Sequence, residues 1–179
     1  MSPLRDRRGW LLGLSLLIIA LDRYTKHWVS HHIELGSDIV LIPHVFALSH
    51  FLNPGAAFSM FSNSADPNRT RWILTTFSIV AAIVVFVILL RIGRRVTLAA
   101  VALALVLGGA IGNAWDRIAY GTVIDFLEVH IVHYRWPDFN VADSAIVIGG
   151  ILLLLDSLRP RKQDQKQDQK KSPASVPKP

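Results

Sequence analysis

The chain of 179 residues contains no cysteine, which excludes a disulfide-stapled fold, a cysteine nucleophile and a thiolate metal site. It also lacks a His-Glu-x-x-His zinc motif, a Gly-x-Ser-x-Gly nucleophile elbow and a phosphate-binding glycine loop. Charged residues make up only 18% of the chain, and hydrophobic residues make up 51%. This balance excludes a disordered protein and disfavours an ordinary soluble domain, because the apolar residues form long uninterrupted runs.

Four apolar segments account for most of the chain. Residues 72–90 and 96–114 each provide 19 positions without a charge, close to the ~20 residues that a helix needs to cross hydrocarbon. Residues 141–158 are nearly as apolar, with an aspartate towards each end. Residues 10–28 begin and end on a tryptophan suited to the membrane interface. We therefore predict four transmembrane helices.

The first segment has an alternative interpretation as a cleavable signal peptide, because three arginines precede its apolar run. However, Leu21 is followed by Asp22-Arg23-Tyr24, which does not supply the small residues of a cleavage site. We favour an uncleaved helix, in which Asp22 and Lys26 are four residues apart and pair on one face.

Lysine and arginine are distributed unevenly between the connecting segments. Three cations precede the first apolar segment, three lie between residues 91 and 95, and seven follow residue 158, which places 13 of the 19 on one side. The other side holds six cations and nine acids. By the positive-inside rule, both termini are cytoplasmic and both long loops face outward. The net charge of +6 thus follows from membrane topology and does not indicate nucleic acid as a partner.

The chain divides into a membrane domain at residues 1–158, which includes the outer loops, and a tail at residues 159–179. The tail contains Gln-Asp-Gln-Lys twice in succession, followed by a segment rich in serine and proline. Because it has no apolar periodicity, we expect it to be disordered, cytoplasmic and without a catalytic role.

The two outer loops contain short runs of strand-forming residues. Asp38–Ile42 and residues 46–51 are separated by Pro43, and residues 123–127 form a third run in the second loop. The predicted fold is therefore that of a mainly α membrane protein, with four transmembrane helices and a small extracytoplasmic β-sheet that forms a cradle at the membrane surface.

Polar residues from several segments are expected to meet at the outer membrane interface. The predicted topology brings the outer ends of the first, third and fourth helices to that surface, together with both outer loops. The residues placed there are Asp22, Asn53, Asn113, Asp116, Arg117, Asp125, Asn140 and Asp143. Ionisable groups at membrane depth cost ~2.5–3.5 kcal/mol each on insertion scales, so a cluster of them favours a functional site.

Each of these residues also has a purely structural interpretation. Asp116 and Arg117 are neighbours that can form an ion pair. Asn113 and Asn140 can satisfy backbone groups at helix ends, and Asp143 can interact favourably with the dipole of the fourth helix. Spacing alone therefore does not identify which two acids react.

Zinc binding is poorly supported by the histidines. His130 and His133 are three residues apart, and His31 and His32 are adjacent, but no third ligand is evident near either pair. We expect no metal site.

Five sequence blocks resemble, in order and spacing over residues 10–158, the signature blocks of lipoprotein signal peptidase, also called signal peptidase II. The blocks are Leu21-Asp22 with Lys26, Asn53-Pro54-Gly55-Ala56-Ala57-Phe58, Gly112-Asn113-Ala114-Trp115-Asp116-Arg117, Val123-Ile124-Asp125-Phe126 and Phe139-Asn140-Val141-Ala142-Asp143-Ser144. Arg23 departs from the family pattern, in which a Gln is common after the Asp of the first block.

The resemblance implies an aspartic peptidase whose catalytic dyad is Asp125 and Asp143. It also implies that no metal or organic cofactor is needed. The residues implied to bind substrate or support the site are Asn53, Gly55, Asn113, Asp116, Arg117, Asn140, Asp22 and Lys26. Gly55 is a candidate hinge in the loop that faces the substrate.

The same resemblance implies the reaction, the partners and the location. The reaction removes the signal peptide from a diacylglyceryl-modified prolipoprotein, with the cut just before the lipidated Cys. The partners are that substrate, membrane lipid and the cyclic lipopeptide inhibitors of the family, such as globomycin. The location is the bacterial cell inner membrane, crossed several times, with both termini cytoplasmic and the active site at the periplasmic side.

We expect a monomer. The Gly108-x-x-x-Gly112 sequence permits close helix packing, which serves either the interior of one chain or a helix–helix dimer.

Two rival functions fit a four-helix membrane protein. A small transporter or channel subunit would use its aspartates to relay protons or bind cations. Against it, the acids cluster at one interface and the two halves show no inverted repeat. A purely structural membrane partner would keep its function when Asp125 or Asp143 is changed to Asn.

Overall fold

The computed structural model describes residues 6–54, 67–132 and 134–159, and within them four helices and four strands follow one another. The helices are α1 (Arg8–His32), α2 (Pro67–Ile92), α3 (Leu98–Ala119) and α4 (Val141–Ser157). The strands are β1 (Asp38–Ile42), β2 (Phe46–Asn53), β3 (Val123–Ile131) and β4 (Tyr134–Phe139). Gly55, His133 and the tail from residue 160 lie outside the described residues, so the predictions about them stay predictions.

All four apolar segments form helices, as predicted. Within the described residues, two stretches are long and apolar enough to cross a membrane: Arg71–Ile92 of α2, and Leu98–Ala119, which is α3. By contrast, α4 has only 17 residues, and α1 carries three charged residues in its C-terminal half. The prediction of four transmembrane helices is therefore not confirmed by length and composition, and it stays a prediction.

Helix α2 leaves much of its apolar surface uncovered by the rest of the chain. Phe77, Val80 and Ile83 are each more than half exposed. A helix that is hydrophobic all round needs an apolar environment, which a bilayer supplies outside the protein. This surface supports placing α2 in a membrane.

Helix α3 lies at the centre of the helical bundle and packs against the other three helices. Small residues permit this approach. A Cβ on Gly108 would lie 2.8 Å from the Cβ of Ile18 in α1, and a Cβ on Gly109 would overlap the carbonyl oxygen of Ala142 in α4. Gly112 is also buried. The Gly108-x-x-x-Gly112 sequence thus serves packing inside the chain, the first of its two predicted uses.

The strands form one antiparallel sheet in the order β1-β2-β3-β4. Strand β1 matches its predicted run, β2 extends beyond the predicted residues 46–51 to Asn53, and β3 extends beyond the predicted residues 123–127 to Ile131. The fourth strand is not among the predicted ones, because Pro137 interrupts its strand-forming pattern. Proline is tolerated there because β4 is an edge strand, which has a neighbour on one side only.

A small apolar cluster attaches the sheet to one end of the bundle. Phe126 of β3 packs with Val29 and Ile33 near the C-terminal end of α1. Because successive side chains of a strand point to opposite faces, Asp125 lies on the other face of β3 from Phe126. Phe51 of β2 is the register partner of Asp125.

Candidate active site

Asp125 is held in β3 with only 2% of its surface exposed. Two side-chain amides bind it. Asn53 Nδ2, at the end of β2, donates to Asp125 Oδ2 at 2.8 Å, and Asn140 Nδ2 donates to Asp125 Oδ1 at 2.7 Å. Asn53 lies within reach because it pairs with Val123, two residues before Asp125. Both carboxyl oxygens therefore accept a hydrogen bond from a neutral donor.

Asp143 lies in the first turn of α4 and forms a capping box with Asn140. Asn140 Oδ1 accepts the amide N–H of Asp143 at 2.9 Å, and the amide N–H of Asn140 donates to Asp143 Oδ2 at 3.3 Å. From α3, Asn113 Nδ2 donates to Asp143 Oδ1 at 2.7 Å. Asn140 therefore both starts α4 and links Asp143 to Asp125.

A buried charge network adjoins these amides. Lys26 is fully buried and forms ion pairs with Asp22 at 2.8 Å and with Asp116 at 2.7 Å. Its Nζ also donates to Asn113 Oδ1 at 3.2 Å. The amide oxygen of Asn113 faces Lys26, so the amide nitrogen of Asn113 faces Asp143. The charge network thereby fixes the orientation of the Asn113 amide. The predicted pairing of Asp22 with Lys26 is confirmed.

The two aspartates of the network are tied to other elements as well. Asp22 Oδ1 accepts the amide N–H of Ala142 at 3.0 Å, which joins α1 to the first turn of α4. Asp116 forms a second ion pair, with Arg23 of α1. Asp116 therefore forms its ion pairs with Arg23 and Lys26 of α1. The sequence alone suggests its neighbour Arg117 as the partner.

Arg117 brings a partly exposed positive charge to the same region, at the C-terminal end of α3. Its guanidinium is attracted electrostatically to Asp143, Asp125 and Asp116. Arg71 of α2 holds this helix end in place, since its Nε donates to the carbonyl oxygen of Arg117 at 2.9 Å.

Asp125 and Asp143 line one cavity of about 560 Å³. Its other polar lining residues are Asn53, Arg117, Asp138 and Ser144. Its apolar wall comes from the sheet and α4, through Val123, Trp136, Pro137, Phe139, Val147 and Ile148. A substrate in this cavity would meet three carboxyl groups, a cation and apolar side chains.

Burial raises the pKa of Asp125 from 3.8 to about 7, and repulsion by Asp143 adds to the rise. The hydrogen bonds from Asn53 and Asn140 act in the opposite direction. Near neutral pH, a large fraction of Asp125 therefore carries a proton, which makes it suited to donate one.

The structure brings the sequence-predicted site residues together around this cavity and its charge network, with Gly55 outside the described residues. They are Asp22, Lys26, Asn53, Asn113, Asp116, Arg117, Asp125, Asn140 and Asp143. Arg23 and Trp136 are examples of contributors that are not among the predicted residues. Arg23 is signalled only by its place beside Asp22, and Trp136 has no sequence signal because it lies on β4.

The histidines do not form a metal centre in the part of the chain that the structure describes, which contains no group of three or more potential ligands. Instead, His130 Nε2 lies 2.6 Å from Glu128 Oε1. His31 and His32 each contact a backbone carbonyl of α1 through Nδ1 at 2.8 Å.

Comparisons with known proteins identify the family of this chain. The family model for signal peptidase (SPase) II matches residues 14–159. The lipoprotein signal peptidase of Pseudomonas putida is 44% identical over 167 residues, which cover 91% of this chain and 96% of that protein. The lipoprotein signal peptidase of Brevibacillus brevis is 42% identical over 147 residues, covering 82% and 93%. A solved structure of a bacterial membrane enzyme is 27% identical with a TM-score of 0.69, covering 88% of this chain and 97% of that one. The chain therefore belongs to the signal peptidase II family and is a membrane peptidase.

Proposed function

We propose that the chain is an intramembrane aspartic endopeptidase that removes the signal peptide from diacylglyceryl-modified prolipoproteins, cutting just before the lipidated Cys. The observation that carries this proposal is that Asp125 and Asp143 line one cavity and are bridged by Asn140. Family membership and the names of the relatives support the substrate class.

The two carboxyl groups divide the roles of general acid and general base. Asp143 is the base: its carboxylate takes a proton from water as the water oxygen attacks the scissile carbonyl carbon. Asp125 is the acid: it donates a hydrogen bond to the carbonyl oxygen and later helps to protonate the leaving amine. The assignment follows from burial, which raises the pKa of Asp125 to about 7.

The polar groups around the dyad have supporting roles. Arg117 stabilises the negative charge that develops on the carbonyl oxygen, because a fixed cation at a partly buried site needs little reorganisation. Asn53, Asn113 and Asn140 hold the two aspartates in position. Lys26, with Asp22 and Asp116, is a positioning group that acts through Asn113.

The apolar wall of the cavity suits a substrate that arrives from the bilayer. Val147 and Ile148 of α4 continue this wall along the helix. We propose that all four helices cross the bacterial inner membrane and that both termini are cytoplasmic. The active site then lies at the periplasmic side, where water reaches the scissile bond while the signal peptide and the diacylglyceryl chains stay in lipid.

The proposed partners are the prolipoprotein, membrane lipid and cyclic lipopeptide inhibitors such as globomycin, which would compete for the same cavity. We propose that the chain acts as a monomer, requires no metal or cofactor and does not bind nucleic acid.

The test is incubation of the purified full-length chain, in detergent or liposomes, with a diacylglyceryl-modified prolipoprotein. A gel shift and the product masses report cleavage and its position. We expect one cut, just before the lipidated Cys, and much slower cleavage of the same precursor without its lipid. No cleavage by the folded protein would overturn the proposal, and ion flux in proteoliposomes would then favour a transporter.

A further inference from the structure

A second cavity, of about 360 Å³, opens beside Asp125. It shares part of its wall with the active-site cavity, through Asn53, Asp125, Trp136, Pro137 and Asp138. A chain segment bound at the dyad can therefore continue from one cavity into the other.

The two cavities differ in the rest of their lining. The active-site cavity extends onto α4, through Val147 and Ile148. The described lining of the second cavity comes from β2, β3 and β4 alone, with Phe51 and Arg135 added to the shared residues. The described lining of the second cavity thus lies on the sheet and includes the polar residues Asn53, Asp125, Arg135 and Asp138, so it suits a polar peptide segment better than a lipid chain.

Arg135 is the exposed charge of the second cavity, since its side chain is 58% exposed. Its Nη2 donates to Glu128 Oε2 at 3.0 Å and to Asp138 Oδ1 at 3.3 Å. The side chains of these two acids are only 10% and 8% exposed. Asp138 Oδ2 also accepts a hydrogen bond from Ser49 at 2.9 Å. The guanidinium is therefore more exposed than the two acids that anchor it.

The anchoring of Arg135 leaves part of its guanidinium unused. Among the described residues, its hydrogen bonds to Glu128 and Asp138 all come from Nη2. A guanidinium has five N–H donors, so the N–H groups of Nε and Nη1 remain for single hydrogen bonds to a carboxylate.

We propose that the second cavity binds the polar segment that follows the lipidated Cys of the substrate, and that Arg135 selects acidic over basic side chains in that segment. This inference rests on the proposed function. With the signal peptide on the apolar side of the dyad, the chain beyond the cut continues along the sheet. Phe51 and Trp136 pack against this segment, and Arg135 attracts its acidic side chains and repels its basic ones.

Two lipidated precursors that differ only in the residues after the lipidated Cys test this selectivity. One carries Asp-Asp there and the other carries Lys-Lys. For the wild type we expect kcat/KM to be about twofold to fivefold higher for the acidic precursor, which is the range of an exposed ion pair. The difference should arise from a lower KM for that precursor. Arg135→Gln should bring the ratio close to one, and Arg135→Lys should keep part of it.

The matched control is Arg94→Gln, which removes an exposed arginine between α2 and α3 and should preserve the wild-type ratio. Because each variant is judged by a ratio of two substrates, a general loss of stability does not imitate the effect. Equal cleavage of both precursors by the wild type, a preference for Lys-Lys, or an unchanged ratio in Arg135→Gln would overturn this inference and leave the proposed function intact. Failure to cleave either precursor would overturn both.

Discussion

At the scale of single residues, Asp125 is subject to opposing influences. Burial in β3 raises its pKa, whereas hydrogen bonds from Asn53 and Asn140 stabilise its charged form. The balance gives a pKa of about 7, at which a carboxyl group both carries a proton and releases it readily. A carboxyl group on an exposed strand would be almost fully ionised at the same pH and could not act as the acid.

The first prediction concerns the pH dependence of cleavage. Since the proposed acid form of Asp125 is lost as the pH rises through about 7, the rate should fall above that pH. The fall should approach about tenfold per pH unit well above the pKa. Rates measured from about pH 6 to about pH 9 with one lipidated precursor test this expectation, and a rate that increases across that range would contradict it.

The second prediction concerns stability. Between pH 3.8 and about 7, native Asp125 holds a proton that the unfolded chain has released, so the wild type loses stability as the pH rises through that window. Asp125→Asn has no such group. As the pH rises through this window, the melting temperature of Asp125→Asn minus that of the wild type should therefore increase by several degrees. A constant difference would contradict the raised pKa.

At the scale of secondary-structure elements, the contact of α3 with α4 determines where Asp143 lies. A Cβ on Gly109 would overlap the carbonyl oxygen of Ala142 and lie 2.8 Å from Ile146 Cγ1. Gly109→Ala should therefore displace the first turn of α4, at a cost of about 1–3 kcal/mol, and slow cleavage. Thermal unfolding and cleavage assays on the same preparation measure both effects.

Gly150→Ala is the matched control for this prediction. A Cβ there meets nothing within 4 Å, so the substitution should be neutral or slightly stabilising through helix propensity. Equal melting temperatures for Gly109→Ala and Gly150→Ala would contradict the importance of the α3–α4 contact.

The elements differ in how well the sequence predicts them. Helix α3 and strand β1 follow from local composition, because uninterrupted apolar residues and β-branched residues indicate them directly. Strand β4 does not, since Pro137 and the charged residues beside it are acceptable only at a sheet edge. That property depends on the strand order, which local sequence does not contain.

The site shows the same division. Asp22 and Lys26 form a pair predictable from their i,i+4 spacing on one helix. Asn140 is recognisable as a residue type that starts helices. The partners of Asp116 are not predictable, because Lys26 and Arg23 are about 90 residues away and meet it only through the packing of α1 on α3.

At the scale of the whole molecule, charge is separated between the two ends of the helical bundle. The α2–α3 connection carries Arg94 and Arg95, whereas the sheet lies at the other end with the acidic site. This separation underlies the proposed orientation, with the sheet facing the periplasm.

The fourth prediction tests that orientation with single cysteines, which the cysteine-free chain accepts without background labelling. Val132, which is 84% exposed, marks the sheet end, and Arg95 marks the α2–α3 connection. In spheroplasts, a membrane-impermeant maleimide should label Val132→Cys at once and Arg95→Cys only after permeabilisation. The reverse pattern, or labelling of both from outside, would contradict the proposed topology.

The central claim is that Asp125 and Asp143 act together, and the most direct test is cleavage of a lipidated precursor by Asp125→Asn and Asp143→Asn. Asp38→Asn, the same chemical change at an exposed position of β1, serves as the control. Folding of each variant is checked by thermal unfolding in the same detergent. We predict that both dyad variants lose cleavage by about a hundredfold or more while the control stays active. Cleavage near the wild-type rate by either folded dyad variant would contradict the assignment and make Asp116 the next residue to test.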